Sequence, residues 1–316
     1  MRLVRVGVIG VGHLGQHHAR IYSGLSGAKL VGVTDSDPAR AHLIAERHGV
    51  VAYRDTPSLL KEVDAVSVAV PTSAHHAVTK ACLEADVHVL VEKPIAATIR
   101  QAEELVELAR RRGRILQVGH VERFNPALLA VRSYIRNPGF IECQRRSPFG
   151  ERGTDVDVVL DLMIHDLDIV LSFQPGRVEE VRAAGMSVLS STNDVANARI
   201  SFSSGCVANL TASRVSSTRL RRLRLYQEEG YLSVDYQARQ GILYRRRVGP
   251  GGYPVLERET LNGGTADALT MELDAFVRAT TTGTRPVVSG EDGAAALALA
   301  HRVLGEIGAS IPRHQF

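Results

Sequence analysis

The chain has 316 residues, 44% hydrophobic and 23% charged, with a formal net charge of +4. That length suits two ordinary domains, and no apolar run approaches the ~18 residues that would span a bilayer. Cys82, Cys143 and Cys206 are scattered and odd in number, so they form neither a metal pair nor a disulfide framework and read as reduced structural thiols.

Arg2 and Arg5 precede an apolar run, but Gly7, Gly10, Gly12 and Gly15 cut it short. That is a first strand and a tight turn rather than a secretory leader, and the expected location is the cytoplasm. Up to about residue 120, strand and helix alternate in the pattern of a parallel sheet with crossover helices. The predicted strands are 3–9, 29–34, 65–70, 87–91 and 115–118. The predicted helices are 14–23, one opened by Asp37-Pro38, 74–84 and 98–112. The last ends in the basic cluster 110–114, where cations complement the helix dipole on a solvated face.

Beyond residue 121 the rhythm changes. Asn125-Pro126 starts a helix and 160–173 reads as another. From 177 to 244, strands at 195–202, 206–212, 220–226 and 231–236 are separated by Ser-Gly and Glu-Glu-Gly turns. Consecutive strands with short turns argue for an antiparallel sheet. A loop at 249–252 and helices at 265–281 and 291–307 complete the chain. The expected architecture is therefore a doubly wound N-terminal Rossmann domain, 1–121. An α+β domain, 122–316, follows it, with an open, mainly antiparallel sheet and helices on one face.

Gly10-Val11-Gly12-His13-Leu14-Gly15 is G-x-G-x-x-G at the end of a buried strand and the start of a helix. In that context the first glycine permits the turn and the second lets the backbone approach a pyrophosphate. The third lets helix pack on strand, and the helix N-terminus faces the phosphates. His13 and Leu14 lie inside this loop. Asp35 ends the second strand about 20 residues further on, where a carboxylate accepts hydrogen bonds from a ribose and repels a 2′-phosphate. Ser36-Asp37-Pro38 follows it with no adjacent arginine, which favours NAD over NADP.

Glu92-Lys93-Pro94 follows the fifth strand, and Asp161-Leu-Met-Ile-His165-Asp166-Leu-Asp168 lies in the second domain. With the glycine fingerprint, these motifs resemble the Gfo/Idh/MocA family of sugar and polyol oxidoreductases over nearly the whole chain. The resemblance extends to Pro71-Thr72…His75 and to Gly119…Arg123-Phe124-Asn125-Pro126. It implies dehydrogenation of a secondary alcohol. His165 takes the hydroxyl proton, as an imidazole suits, and Asp161, one turn earlier, shares its face. Lys93 hydrogen-bonds the reacting oxygen, and the family tends to a cis peptide before this proline. The catalytic set is Lys93, His165 and Asp161, with Arg123 added to them for the substrate. The dinucleotide set adds Pro71, Thr72, His75, Glu92 and Lys93 to the glycine loop and Asp35.

Each residue also has a plain structural reading. Lys93 alone is a strand-end lysine, His165 a core histidine, and Asp161 and Asp168 surface caps. His17, His18, His42 and His48 read as helix-surface residues. A metal at His165, Asp166 and Asp168 is disfavoured, because adjacent helical residues face apart.

The segments from Gly119 to Pro126 and from Asp155 to Asp168 further resemble the family's UDP-N-acetylglucosamine 3-dehydrogenases, which oxidise the 3-hydroxyl of a nucleotide sugar. Arg145, Arg146, Arg152, Arg214 and 219–224 are donors suited to its diphosphate. Thr154-Asp155 and the residues after it make a bulkier, more acidic approach to the Asp161 helix than the glycine-rich one common in the family. A dehydrogenase of a free sugar or inositol is the alternative. A cofactor-sensing regulator is a second one, disfavoured by the presence of both Lys93 and His165. Nucleic acid is excluded as a partner by the absence of tryptophan and by 5% aromatics. An uncovered sheet face predicts a homodimer or homotetramer.

Overall fold

The computed structural model describes residues 3–150 and 156–310, so that Arg152, Thr154 and Asp155 lie outside the described residues. The first unit holds six parallel strands: β1 (Val4–Ile9), β2 (Ala28–Thr34), β3 (Val51–Ala52), β4 (Ala65–Val68), β5 (His88–Glu92) and β6 (Leu116–Gly119). Their order, β3-β2-β1-β4-β5-β6, is that of a Rossmann sheet, with the switch point between β1 and β4. Helices α1 (Gly15–Gly24), α2 (Pro38–His48), α3 (Thr56–Leu60), α4 (Thr72–Glu84) and α5 (Ile99–Arg112) form the crossovers. Asp37 caps α2 as expected, and Thr98, placed inside the predicted helix 98–112, is instead the N-cap of α5. The central strands are buried on both faces, which is why they read as continuous apolar runs.

In the second unit, α6 (Pro126–Arg132) precedes β7 (Phe140–Arg146), and α7 (Ile164–Ser172) precedes seven further strands. These are β8 (Val178–Met186), β9 (Val195–Phe202), β10 (Val207–Ser213), β11 (Leu220–Gln227), β12 (Gly230–Asp235), β13 (Gln240–Val248) and β14 (Pro254–Asn262). The sheet order is β14-β13-β12-β11-β7-β10-β9-β8. Only the β7–β10 pair is parallel, because β7 enters the middle of the sheet from outside the meander. The sequence did not reveal β7: its outward positions Glu142, Gln144 and Arg146 mask the alternation with buried Ile141, Cys143 and Arg145.

The covered face packs Ile141, Leu210 and Leu223 against Ile164 and Leu167 of α7 and Val303 of the final helix, α9 (Gly290–Ser310). The other face is open. Across it Phe140, Tyr226, Tyr231 and Tyr244 stand in register on four neighbouring strands. Their ring centroids are 5.7, 5.3 and 4.2 Å apart in that order.

The two compact units part after Val121, and the second does not run on unbroken from there. Ala268–Ala294, including helix α8 (Ala268–Thr282), belongs to the first unit. The reason is apolar: Leu273, Phe276 and Val277 of α8 complete the core that holds Val6, Tyr22 and Leu30. All three cysteines are buried and free. Among the described residues no helix is long and apolar enough to cross a membrane.

Candidate active site

The dinucleotide cradle is built by three glycines. Gly10 has φ +84°, which a side chain would strain, and its N–H donates to the Thr34 carbonyl at 2.8 Å. A Cβ at Gly15 would fall 1.8 Å from the Gly10 carbonyl oxygen, so α1 starts hard against the turn only because it begins with glycine. A Cβ at Gly12 would meet nothing within 4 Å. That open backbone faces a cavity of about 780 Å³ lined by Gly10, Gly12, His13, Leu14, Asp35 and Pro71. A cavity of that size, with bare backbone beside a helix N-terminus, fits a dinucleotide.

Asp35 accepts the Val11 N–H at 2.7 Å and the Asp37 N–H at 2.9 Å, leaving lone pairs for ribose hydroxyls. The sequence shows no arginine next to it, yet α2 brings Arg40 to 3.5 Å from its carboxylate, and Arg40 and Arg54 line the same cavity.

Thr72 opens α4 beside Pro71. His75, expected against the nicotinamide, turns inward instead and is 1% exposed. Its ring spans the Pro94 carbonyl at 2.7 Å and the Val70 carbonyl at 2.9 Å, and burial lowers its pKa. It supports the Glu92-Lys93-Pro94 turn, where Lys93 is half-buried and the Lys93–Pro94 peptide is cis. Glu92 is buried with His18, which is also buried and not on the helix surface where the sequence put it. His18 Nε2 lies 3.1 Å from Glu92 Oε1. The signal was present: His18 shares a face of α1 with buried Gly15 and Tyr22.

In the second unit, Val159–Met163 forms a π-helical turn that runs into α7. Such turns recur at functional sites. This one carries Asp161, and the first turn of α7 carries His165; both are half-buried. Met163 and Ile164 between them, and Asp166 and Asp168 beyond, are enclosed. Asp166 accepts from Arg145 Nε at 3.1 Å and Nη2 at 2.9 Å, and Arg145 Nη1 donates to Glu122 at 2.8 Å. Burial pushes the Asp166 carboxyl up, while Glu122, with Arg221 and Asn125 also upon it, is held below its usual range despite burial. Asp168 is no surface cap: it takes two hydrogen bonds from Arg123, at 2.6 and 2.8 Å. Arg123, expected at the substrate, is thus a 5%-exposed strut under α7.

Arg145 and Arg214, expected as diphosphate donors, are likewise committed internally. Asp194 takes the N–H groups of Val188, Leu189 and Ser190 at 2.6–2.9 Å and Arg214 Nε at 2.7 Å. Burial alone would raise the Asp194 carboxyl, but Arg214 and these amides hold it far below the ordinary range. Arg214 also donates to the Val156 carbonyl, and Asn193 Nδ2 to Asp157 at 2.6 Å. The two contacts pin the approach to the π turn. Arg222 and Arg224 share the open face with Gln144 and Glu142, whereas Arg221 pairs in register with Arg145 on the α7 side and is 43% exposed. No cluster among the described residues could hold a metal ion.

Comparison with known proteins agrees with this geometry. The profile of the "Oxidoreductase family, NAD-binding Rossmann fold" matches residues 4–120, and that of the "GFO/IDH/MocA C-terminal domain" matches 127–233. The chain is 39% identical to UDP-N-acetylglucosamine 3-dehydrogenase of Acidithiobacillus ferrooxidans, over 87% of this chain and 88% of that protein. It is 28% identical to myo-inositol 2-dehydrogenase of Thermotoga maritima, over 94% of each. A solved structure of the Acidithiobacillus enzyme superposes with a TM-score of 0.91 over 98% of this chain and 99% of that one. An NAD-binding oxidoreductase of Klebsiella pneumoniae, 21% identical, shares the fold with a TM-score of 0.87 over 98% of each chain.

Two stability predictions arise from the buried pairs. Arg145→Ala leaves Asp166 buried without its cation and Glu122 with only the partly exposed Arg221, and is expected to cost about 3–5 kcal/mol in denaturant unfolding. Asp194→Asn is expected to lower the unfolding midpoint uniformly above about pH 5, with a loss that shrinks below about pH 4. A carboxyl whose folded pKa is depressed contributes in full above its unfolded pKa and loses that contribution progressively as pH falls toward the folded one, so a loss that grew on acidification would contradict this assignment.

Proposed function

The chain belongs to the Gfo/Idh/MocA oxidoreductase family, and from that premise we propose that this NAD-binding dehydrogenase oxidises the 3-hydroxyl of a nucleotide sugar, UDP-N-acetylglucosamine or a close analogue. The observation that carries the substrate class is the 39% identity to a UDP-N-acetylglucosamine 3-dehydrogenase over 87% of the chain. Inositol dehydrogenases also match, which makes a free polyol the reading to test against it.

The cradle of Gly10, Gly12 and Gly15 holds the pyrophosphate and Asp35 the ribose, with Arg40 beside it. NAD, when bound, supplies the hydride acceptor. His165 accepts the hydroxyl proton, Asp161 orients the imidazole, and Lys93 donates a hydrogen bond to the substrate oxygen, favouring its alkoxide. Arg221, on the α7 side of the sheet and partly exposed, is the described arginine best suited to the diphosphate. Arg145 and Arg214 are instead engaged with buried carboxylates, as is Arg123.

The test is NADH formation with UDP-N-acetylglucosamine, free hexoses and inositols. Turnover is expected with the UDP-sugar, with a higher KM for Arg221→Ala. Lys93→Ala and His165→Ala are expected to lose about 10²–10⁴-fold in kcat. Turnover of free inositol in preference to the UDP-sugar would overturn the substrate, and full activity in either alanine variant would overturn the mechanism.

We also propose that a second copy covers the open sheet face, whose Phe140–Tyr226–Tyr231–Tyr244 stack is an aromatic surface suited to burial. Sedimentation of wild type as a dimer or tetramer and of Tyr231→Glu as a smaller species is the expected result; a monomeric wild type would refute it.

A further inference from the structure

The reading of Lys93 leaves one buried group unused. His18 lies in the first turn of α1, three residues beyond Gly15, and its backbone N–H donates to the Leu14 carbonyl of the glycine loop at 3.2 Å. Its side chain is 0% exposed. Nε2 stands 3.1 Å from Glu92 Oε1, close enough for an ion pair though not aligned as a hydrogen bond, and Nδ1 has no hydrogen-bond partner among the described residues. An imidazole placed in a core with one polar contact is an expensive way to fill space, so the contact itself is the feature to explain.

Glu92 is held as tightly on its other side. Its Oε2 accepts the Lys93 backbone N–H at 3.3 Å. The carboxylate lies over Gly119, the register partner of Glu92 on β6, where a Cβ would come within 2.8 Å of Oε2. Room for this carboxylate therefore exists only because β6 ends in glycine. Burial would raise the Glu92 carboxyl, but His18 foremost, with Lys93 and His75, outweighs it and holds the group below its ordinary range. A buried carboxylate kept charged against one imidazole has a set direction, whereas a neutral, exposed one would swing.

We propose that His18 is a positioning residue that couples the dinucleotide-binding helix to the catalytic lysine, by fixing Glu92 and through it the backbone of Lys93. The chain of contact is short. The Leu14 carbonyl holds the His18 backbone, the His18 imidazole holds Glu92, and Glu92 holds the Lys93 amide. The N-terminus of α1 is the end that receives the pyrophosphate, so cofactor seated there stiffens the same turn from which His18 reaches the strand end. The inference rests on Lys93 acting at the substrate oxygen, and it adds a residue outside the glycine fingerprint and outside the Glu92-Lys93-Pro94 motif.

The experiment compares His18→Leu, His18→Gln, Glu92→Gln and the double variant His18→Leu/Glu92→Gln with Lys93→Ala. The readouts are NADH binding by fluorescence and steady-state turnover of the substrate identified above. His18→Leu fills the space without a donor and is expected to lower kcat roughly tenfold to a hundredfold, as misplacement of about an ångström does. NADH affinity and substrate KM are expected to stay within about threefold of wild type, a split that general loss of structure would not produce. His18→Gln presents an N–H near the Nε2 position and is expected to restore most of kcat. The double variant is expected to be no slower than the slower single one, because both cut the same link.

Wild-type kcat in His18→Leu overturns the proposal. So does a kcat loss that His18→Gln fails to restore, or losses that multiply in the double variant. If His18→Leu does not fold, the near-isosteric His18→Gln and Glu92→Gln decide alone: retained kcat in the first with a fall in the second supports the link, and any other pattern refutes it. The underlying reading fails separately, by full activity of Lys93→Ala. A dead Lys93→Ala beside a normal His18→Leu refutes only the coupling.

Discussion

A carboxylate taken out of water must find a cation or several N–H groups, and in this chain that requirement organises the ground beneath the Lys93 strand end in one unit and beneath the Asp161–His165 helix in the other. Glu92 is answered by His18, Asp166 and Glu122 by Arg145, Asp168 by Arg123, and Asp194 by Arg214. Each pair joins elements distant in sequence. Replacing such a pair by apolar side chains is often neutral or favourable for stability, so geometry is the better account of what the pairs do. They hold the Lys93 strand end and the helix of Asp161 and His165 in single orientations.

The same helix illustrates the division of labour. Around α7, Asp161 and His165 are half-buried while Asp166 and Asp168 are enclosed. The acidic residues of this segment therefore serve different ends according to the side they occupy. Arg145, from the middle of the sheet, and Arg123, from the turn after β6, fix the inner side. Loop residues Asn193 and Asp194, with Arg214, fix the entry to the π turn. The side that carries Asp161 and His165 stays half-buried.

The eight-stranded sheet follows from a similar economy. One face receives α7 and α9 and is apolar apart from Arg145 and Arg221. The other carries Arg222, Arg224, Glu142 and the aromatic row, alternating residue by residue with the core. Arginines that look alike in sequence are separated by this alternation. Arg221 falls on the α7 side, and Arg222 and Arg224, one and three residues on, fall on the open one.

Local pattern was enough to determine much of this protein. The glycine turn, Asp35, the strand–helix alternation, the cap at Asp37 and the change to an antiparallel sheet all depend on contacts between near neighbours or on periodicity, and both are written in the chain. Tertiary structure alone decided which charges would be spent inside. Whether Arg123 meets a substrate or Asp168, whether His18 faces water or Glu92, and whether α8 serves the second domain or completes the core of the first are settled by partners tens to hundreds of residues away. A side chain's type announces that it needs a partner; only the folded chain, by bringing one within 3 Å or failing to, says which.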